Sequence, residues 1–259
     1  ANIILFNSHH NVKDLYKYKQ LNPSLKFVHR VDGPHLWRTD NTDEVVFYYN
    51  RMFANGTIFQ SQYSKEKTIQ CGFVFNQPST IIPNAVDTEI FYPLNKSAQK
   101  KIFTNKIRII TTSWSDNIQK GFDYYQKLDE KLDYFKYEMY FIGRSPIQFQ
   151  NIKHISPQPS QSVAEYLRTG DIYLTASAND PASNSVSEAL ACGLPVVYFD
   201  GGGHKEIVKK AGENFLSIDE CLLAIDKVSL DLVDYKEKIN IETIESIGKK
   251  YVAFFESLL

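Results

Sequence analysis

The chain has 259 residues, 43% of them hydrophobic and 23% charged, enough to bury one large core or two smaller ones. A formal net charge of −1 argues against a nucleic-acid partner, with the Lys-rich stretch 96–106 as a local exception. The three cysteines, Cys71, Cys192 and Cys221, lack the paired spacing of a zinc or redox site, and no apolar run reaches bilayer-spanning or signal-peptide form; a cytoplasmic protein is expected.

Short apolar runs alternate with amphipathic stretches from Ile3 to Pro93, the pattern of α/β units with parallel strands. It predicts strands at 3–7, 26–30, 56–60 and 79–82. Helices are expected at 12–20, 43–54 and 64–71, with Thr42 or Asp43 and Ser61 or Ser64 as N-caps. The opening strand has nothing before it, so either the domain is minimal or residues upstream are missing. The periodicity lapses over 84–93 and a Lys-rich stretch follows, which marks a domain boundary. A second α/β series then runs through strands at 107–112, 137–142, 153–155, 171–176, 195–198 and 215–218. Three helical segments finish the chain. The last, 241–259, carries Ile244, Ile247, Tyr251, Val252, Phe254, Phe255 and Leu258 as a packing stripe.

In open parallel sheets ligands bind beyond the carboxyl ends of strands, so the polar residues there are the candidates. Lys120-Gly121-Phe122 opens a helix, where a lysine opposes the macrodipole; it either binds phosphate or pairs with Asp116 or Asp123. Arg144 follows the strand at 137–142 and suits bidentate phosphate recognition, unless it is a plain surface arginine after Gly143. Asp180 and Glu188 flank the start of another helix, with Asn184 and Ser185 between them. Glu188 fits two readings: the glutamate of a capping box opened by Ser185, or an ionised acceptor for a ribose diol. Asp180 precedes a proline and reads equally as a turn residue. Gly201-Gly202-Gly203-His204-Lys205-Glu206 permits close backbone approach to a ligand, but has neither the Walker lysine-serine pair nor the dinucleotide fingerprint. His29, Asp32 and His35 bracket one loop of the first half, and no spacing among them or their neighbours supports a metal site.

Taken together these motifs resemble those of retaining glycosyltransferases with the GT-B fold, of the family 4, glycosyl transferase group 1 type. The residues that carry the likeness are Lys120-Gly121, the Gly143 turn, the acidic pair Asp180 and Glu188 eight apart, the run Glu188 to Val197, and the glycine loop with Glu206. The resemblance implies an α/β chain of two Rossmann-like domains facing a cleft: a shortened or truncated acceptor-side domain at 1–95 and a donor-binding domain at 96–240. The closing helix, 241–259, would pack back toward the first domain. It implies a nucleoside-diphosphate sugar as donor, with Lys120 on the diphosphate and Arg144, Asn184, Ser185 and Glu188 around it. Lys120, Asp180 and His29 would be the catalytic set, and Asp32 and His35 would lie on the acceptor side. Two departures stand out: Asp180 occupies a position that is usually Glu, and the arginine usual shortly before the lysine is replaced by Ser115-Asp116-Asn117. Transfer to a glycan or lipid-linked acceptor would need no metal and no cofactor, the nucleotide sugar being a substrate. A peripheral contact with the inner face of a membrane is compatible with such an acceptor. Two other readings stay open, a sugar-nucleotide epimerase of the same architecture and a non-catalytic nucleotide-sugar-binding module.

Overall fold

The computed structural model describes residues 2–34, 41–94 and 105–259. The chain forms two compact units, Ala1–Asn84 with Ile244–Leu259, and Ala85–Thr243.

In the first unit β1 (Ile3–Asn7), β2 (Lys26–Val31), β3 (Gly56–Phe59) and β4 (Ser79–Ile81) make a fully parallel sheet in chain order. The crossovers carry α1 (Leu15–Leu21), α2 (Thr42–Phe53) and α3 (Gln62–Gln70). Side chains alternate across a strand, so neighbours on β2 feed opposite faces. Phe27 joins Phe6, Leu15 and Phe53 on one side, while Val28 joins Ile58 and Ile82 on the other. Ser61 caps α3 by accepting the Ser64 N–H, as expected; α2 is preceded by Asn41, whose side chain makes no cap bond.

The second unit holds a six-stranded parallel sheet. Its elements are β5 (Ile107–Ser113), α4 (Phe122–Lys131), β6 (Tyr137–Gly143), β7 (Lys153–Ile155), α5 (Ser160–Arg168), β8 (Ile172–Thr175), α6 (Asn184–Ala191), β9 (Val196–Phe199), α7 (His204–Val208), β10 (Gly212–Phe215), α8 (Ile218–Leu230) and α9 (Leu232–Glu237). The strand order is β10-β9-β8-β5-β6-β7. Winding therefore starts at β5, runs outward through β6 and β7, then returns to lay β8 on the other flank of β5. This is the doubly wound order, and β5 and β8 border its switch point. Period-two alternation fills both faces: Ile109, Phe141, Leu174 and Val197 on one, Ile110, Ile142, Tyr173 and Val196 on the other.

The division after Asn84 falls at the start of the 84–93 lapse in periodicity, and earlier than the 95/96 boundary that the resemblance implied. Val86 and Phe91 bury in the core formed by Ile110, Tyr173 and Leu190, which attaches the segment to the second unit. The strand expected at 215–218 lies instead at Gly212–Phe215, paired in parallel with β9, and Ser217 caps α8. α10 (Ile244–Glu256) belongs to the first unit, where Ile247, Tyr251, Phe254, Phe255 and Leu258 cover Val28 and Ile58. Gly56 lets this helix close on the sheet, since a Cβ there would lie 2.7 Å from Leu258 and 2.9 Å from Phe254.

Candidate functional site

Four loops of the second unit gather beyond the carboxyl ends of β5, β6, β8 and β9. The loop after β5 is stiffened by its own polar side chains: Ser113 Oγ donates to the Ser115 carbonyl, and Asn117 Oδ1 accepts the Gln119 N–H at 2.9 Å. A 3-10 turn over Ile118–Lys120 leads to Gly121 at φ 74°, and only then does α4 begin. Lys120 thus stands just outside the helix, where the sequence reading placed it in the first turn. A Cβ on Gly121 would collide with the Ala176 carbonyl oxygen, so a glycine is needed where the loops after β5 and β8 touch. Further ties hold the same two loops. The Ala178 N–H donates to the Gln119 carbonyl at 2.7 Å, and Asn179 Nδ2 donates to Gln119 Oε1 at 3.0 Å.

The seam fixes the partners of Lys120. Its Nζ lies 3.4 Å from Asp180 Oδ2 and 3.4 Å from Ser177 Oγ. It pairs with neither Asp116 nor Asp123, the latter facing Lys127 at 3.8 Å. With the lysine side chain 31% exposed and the aspartate 16%, the pair is long and partly screened, an association that a stronger anion could displace.

The capping box is absent from α6. Ser183, two residues before Ser185, is the N-cap, and it makes no side-chain cap bond. Glu188 therefore falls in the second turn, too far along to reach back to the cap amide. It is half-buried, beside Ala189 and Leu190 in the core. No hydrogen bond or ion pair holds its carboxylate among the described residues, and burial raises its pKa above the usual glutamate value. Ser185 shares a 3.0 Å hydroxyl contact with Ser183, and Asn184 is exposed at the first position of the helix. Gly193 at φ 87° ends α6, with its N–H on the Leu190 carbonyl and the Leu194 N–H on that of Ala189, a left-handed C-terminal cap. Cys192 is buried and its thiol is pushed up to about 12, so it is no nucleophile.

Arg144 follows Gly143, whose φ of 131° brings the turn against β5. The Arg144 N–H donates to the Ser113 carbonyl at 2.8 Å, and the side chain is exposed with no ion pair among the described residues. Lys120, Arg144, Asp180, Asn184, Ser185 and Glu188 are thus all carried by loops or a helix start at one edge of one sheet. Those after β5 and β8 border the switch point. Ser177, a partner of Lys120, gave no signal in spacing or composition.

The first-unit candidates fare differently. His29 is wholly buried, stacked on Phe6 at 4.1 Å between ring centres. Its Nε2 donates to the Ser8 carbonyl at 2.9 Å and its Nδ1 accepts from Asn50 Nδ2 at 3.1 Å, which fixes a neutral tautomer. Burial lowers its pKa to about 4. Against the expected catalytic role, His29 lies within β2 with its ring enclosed among Phe6, Ser8 and Asn50. Asp32 accepts a hydrogen bond from Arg30 at 2.8 Å and another from Gln60, in a polar cluster where Arg30 also binds Asn7 and Asn84. His35 lies outside the described residues. Among the described residues no three His, Cys, Asp or Glu side chains are grouped to hold a metal ion, and no helix is long and apolar enough to cross a membrane.

Residues 111–228 match the family described as glycosyl transferases group 1, a segment that begins in β5 and ends in α8. That segment of the second unit is similar to the group 1 glycosyl transferases. A search of curated protein sequences finds no match. Among solved structures, a sucrose-phosphate synthase from Thermosynechococcus elongatus superposes with a TM-score of 0.76 at 13% identity, covering 99% of this chain and 73% of that one. HepE of Anabaena in complex with UDP-glucose gives 0.76 at 16% identity, over 99% and 79% of the two chains. A glycosyltransferase from Rickettsia africae gives 0.76 at 16%, over 100% and 77%. At these identities the likeness establishes the fold alone, α/β with parallel sheets as in proteins of the GT-B class.

Proposed function

We propose that the protein transfers a sugar, with retention of anomeric configuration, from a nucleoside-diphosphate sugar to an acceptor hydroxyl. The observation that carries the reading is Glu188: an unpartnered, half-buried carboxylate beyond β8, at the switch point that Lys120 approaches from β5. A carboxylate in that position accepts two hydrogen bonds from a ribose diol, and a cation at its side neutralises a diphosphate. The HepE structures, which contain UDP, UDP-glucose, or UDP and glucose, support a uridine nucleotide as the first ligand to try.

In the reaction the bond from the anomeric carbon to the β-phosphate oxygen breaks, the acceptor oxygen bonds to that carbon from the same face, and its proton passes to the departing phosphate. Negative charge grows on the leaving diphosphate. Lys120, Arg144 and the positive end of α6 supply fixed positive potential there. These groups perform the task often given to a divalent ion, so the transfer is read as metal-independent. Asp180 stands beside the donor sugar, and Asp32 is retained as an acceptor-side group. The acceptor is read as a glycan or lipid-linked saccharide in polysaccharide or glycoconjugate synthesis, met in the cytoplasm or at the inner face of a membrane.

Calorimetric titration of the wild type with UDP, GDP, ADP and CDP tests the reading. Lys120→Ala and Glu188→Ala each remove a charged hydrogen-bonding group, which is worth about 1.5–3 kcal/mol, so affinity should fall roughly 10- to 100-fold. Unchanged affinity in both variants overturns the assignment. Donor turnover without acceptor would instead favour an epimerase.

A further inference from the structure

His204 opens α7, one residue beyond the glycine loop, and is wholly buried, with neither ring nitrogen in a hydrogen bond of normal geometry and only a weak backbone contact to Phe199. The loop before it is fastened to the backbone of Asp180. The Gly203 N–H donates to the Asp180 carbonyl at 2.9 Å, and the neighbouring Asn179 N–H donates to the Gly201 carbonyl. A Cβ on Gly202 would lie 2.6 Å from that same Asp180 oxygen, so the loop lies flat on Asp180. The imidazole that follows this clamp interacts electrostatically with the Asp180 carboxylate. Asp180 and Asp200 favour its charged form, as does the Phe199 backbone, while Lys120 opposes it. Burial outweighs them and lowers the pKa, so the ring is neutral here. Tyr198, 6.0 Å away between ring centres, supplies an apolar wall.

Leaving a buried imidazole unpaired costs free energy that an apolar side chain would avoid. The cost is offset if another state of the site uses the ring. In the free protein Lys120 is the cation beside Asp180, at 3.4 Å. A diphosphate carries more charge than one carboxylate and competes for the same lysine. Once the lysine turns to the phosphates, Asp180 is left mostly buried, anionic and close to a second anion. We propose that His204 is a positioning residue that takes up one proton as a nucleoside diphosphate draws Lys120 away, replacing it as the counter-charge that holds Asp180 in place. The proton enters a ring nitrogen from solvent and no covalent bond changes. The inference rests on the reading of Lys120 as the diphosphate ligand.

The test is a proton count. The diphosphate among UDP, GDP, ADP and CDP that binds the full chain most tightly is titrated at pH 6.5 in buffers of different ionisation enthalpy. The wild type should take up roughly one proton more than His204→Gln. Asp180→Asn keeps the backbone clamp and removes the carboxylate, so it should lose the same uptake. The ratio of wild-type to His204→Gln affinity should fall as pH rises through the histidine range. A purely structural histidine would change affinity without changing the proton count. Equal proton exchange in the wild type and the variants, with binding retained, overturns the proposal and leaves the nucleotide reading standing. If His204→Gln does not fold, the comparison with Asp180→Asn decides. If no diphosphate binds the wild type, both readings fall.

Discussion

Burial shifts both Glu188 and His29 toward their neutral forms, with different consequences for function. The glutamate must be ionised to accept a diol, and its pKa is raised with no partner to lower it. Nucleotide affinity should therefore decline on acidification from a pH above the ordinary glutamate range, while Glu188→Gln binds more weakly with that limb flattened. For stability the sign is opposite: the folded state favours the protonated acid, so this group's contribution is lost as pH rises through its raised pKa. The histidine is neutral because its network requires it, with a folded pKa of about 4 against 6.5 unfolded. Between those values the unfolded chain binds more protons, so stability falls as pH falls, by about 3 kcal/mol across the window. His29→Asn should fold less stably at neutral pH and lose this dependence, as read by urea unfolding at pH 7 and pH 4.5. Sequence alone could not separate these two residues from their rivals. Half-burial of one and full enclosure of the other follow from which neighbours pack against them.

Helices and turns decide where those residues can reach. Ser185 and Glu188 have the spacing of a capping box, yet the helix starts at Asn184, one residue before Ser185, and the frame fails. Local spacing gives the motif and the tertiary packing of Val186 and Leu190 gives the phase. Glycines set the loop ends: at Gly143 an alanine would suffer a φ of 131° and a collision with the Ser113 carbonyl. Gly143→Ala should destabilise the fold by more than about 1 kcal/mol and, by displacing Arg144, weaken nucleotide binding as well. Asp129 fixes α4 to the segment before β7, its buried carboxylate accepting the N–H groups of Gln150, Asn151 and Ile152 at 2.7–2.8 Å. Asp129→Ala strands those donors and should cost about 3 kcal/mol in chemical denaturation, with Lys120 and Glu188 unaltered.

At the scale of the whole molecule the last helix completes the first unit, although it follows the second in sequence. Ile247 is buried against Val28, Ile58 and Ile82, with Phe254 beside it. Ile247→Ala should cost about 2–5 kcal/mol, as for other large-to-small core changes, and the loss should appear in the first unit. Amide hydrogen exchange checks this: protection should drop in β2 and β3 and persist in β5 and β8.

The elements themselves were readable because their periods are local. Alternation through residues such as Ile109-Ile110 and Tyr173-Leu174 marks strands buried on both faces, and Gly193-Leu194-Pro195 marks the stop of α6. The position of the polar candidates beyond strand ends was readable too, since it follows from where the strands stop. What each of them touches was not. Lys120 meets Asp180 across 60 residues of chain, whereas the sequence offered only Asp116 and Asp123 nearby. His29 turns into the core, and His204 comes to lie within the field of Asp180 through a glycine loop. Such contacts depend on how strands are ordered and how side chains rotate, and neither leaves a period in the sequence. The chain alone determined which groups stand beyond the strand ends; the tertiary structure decided which of them pair with one another.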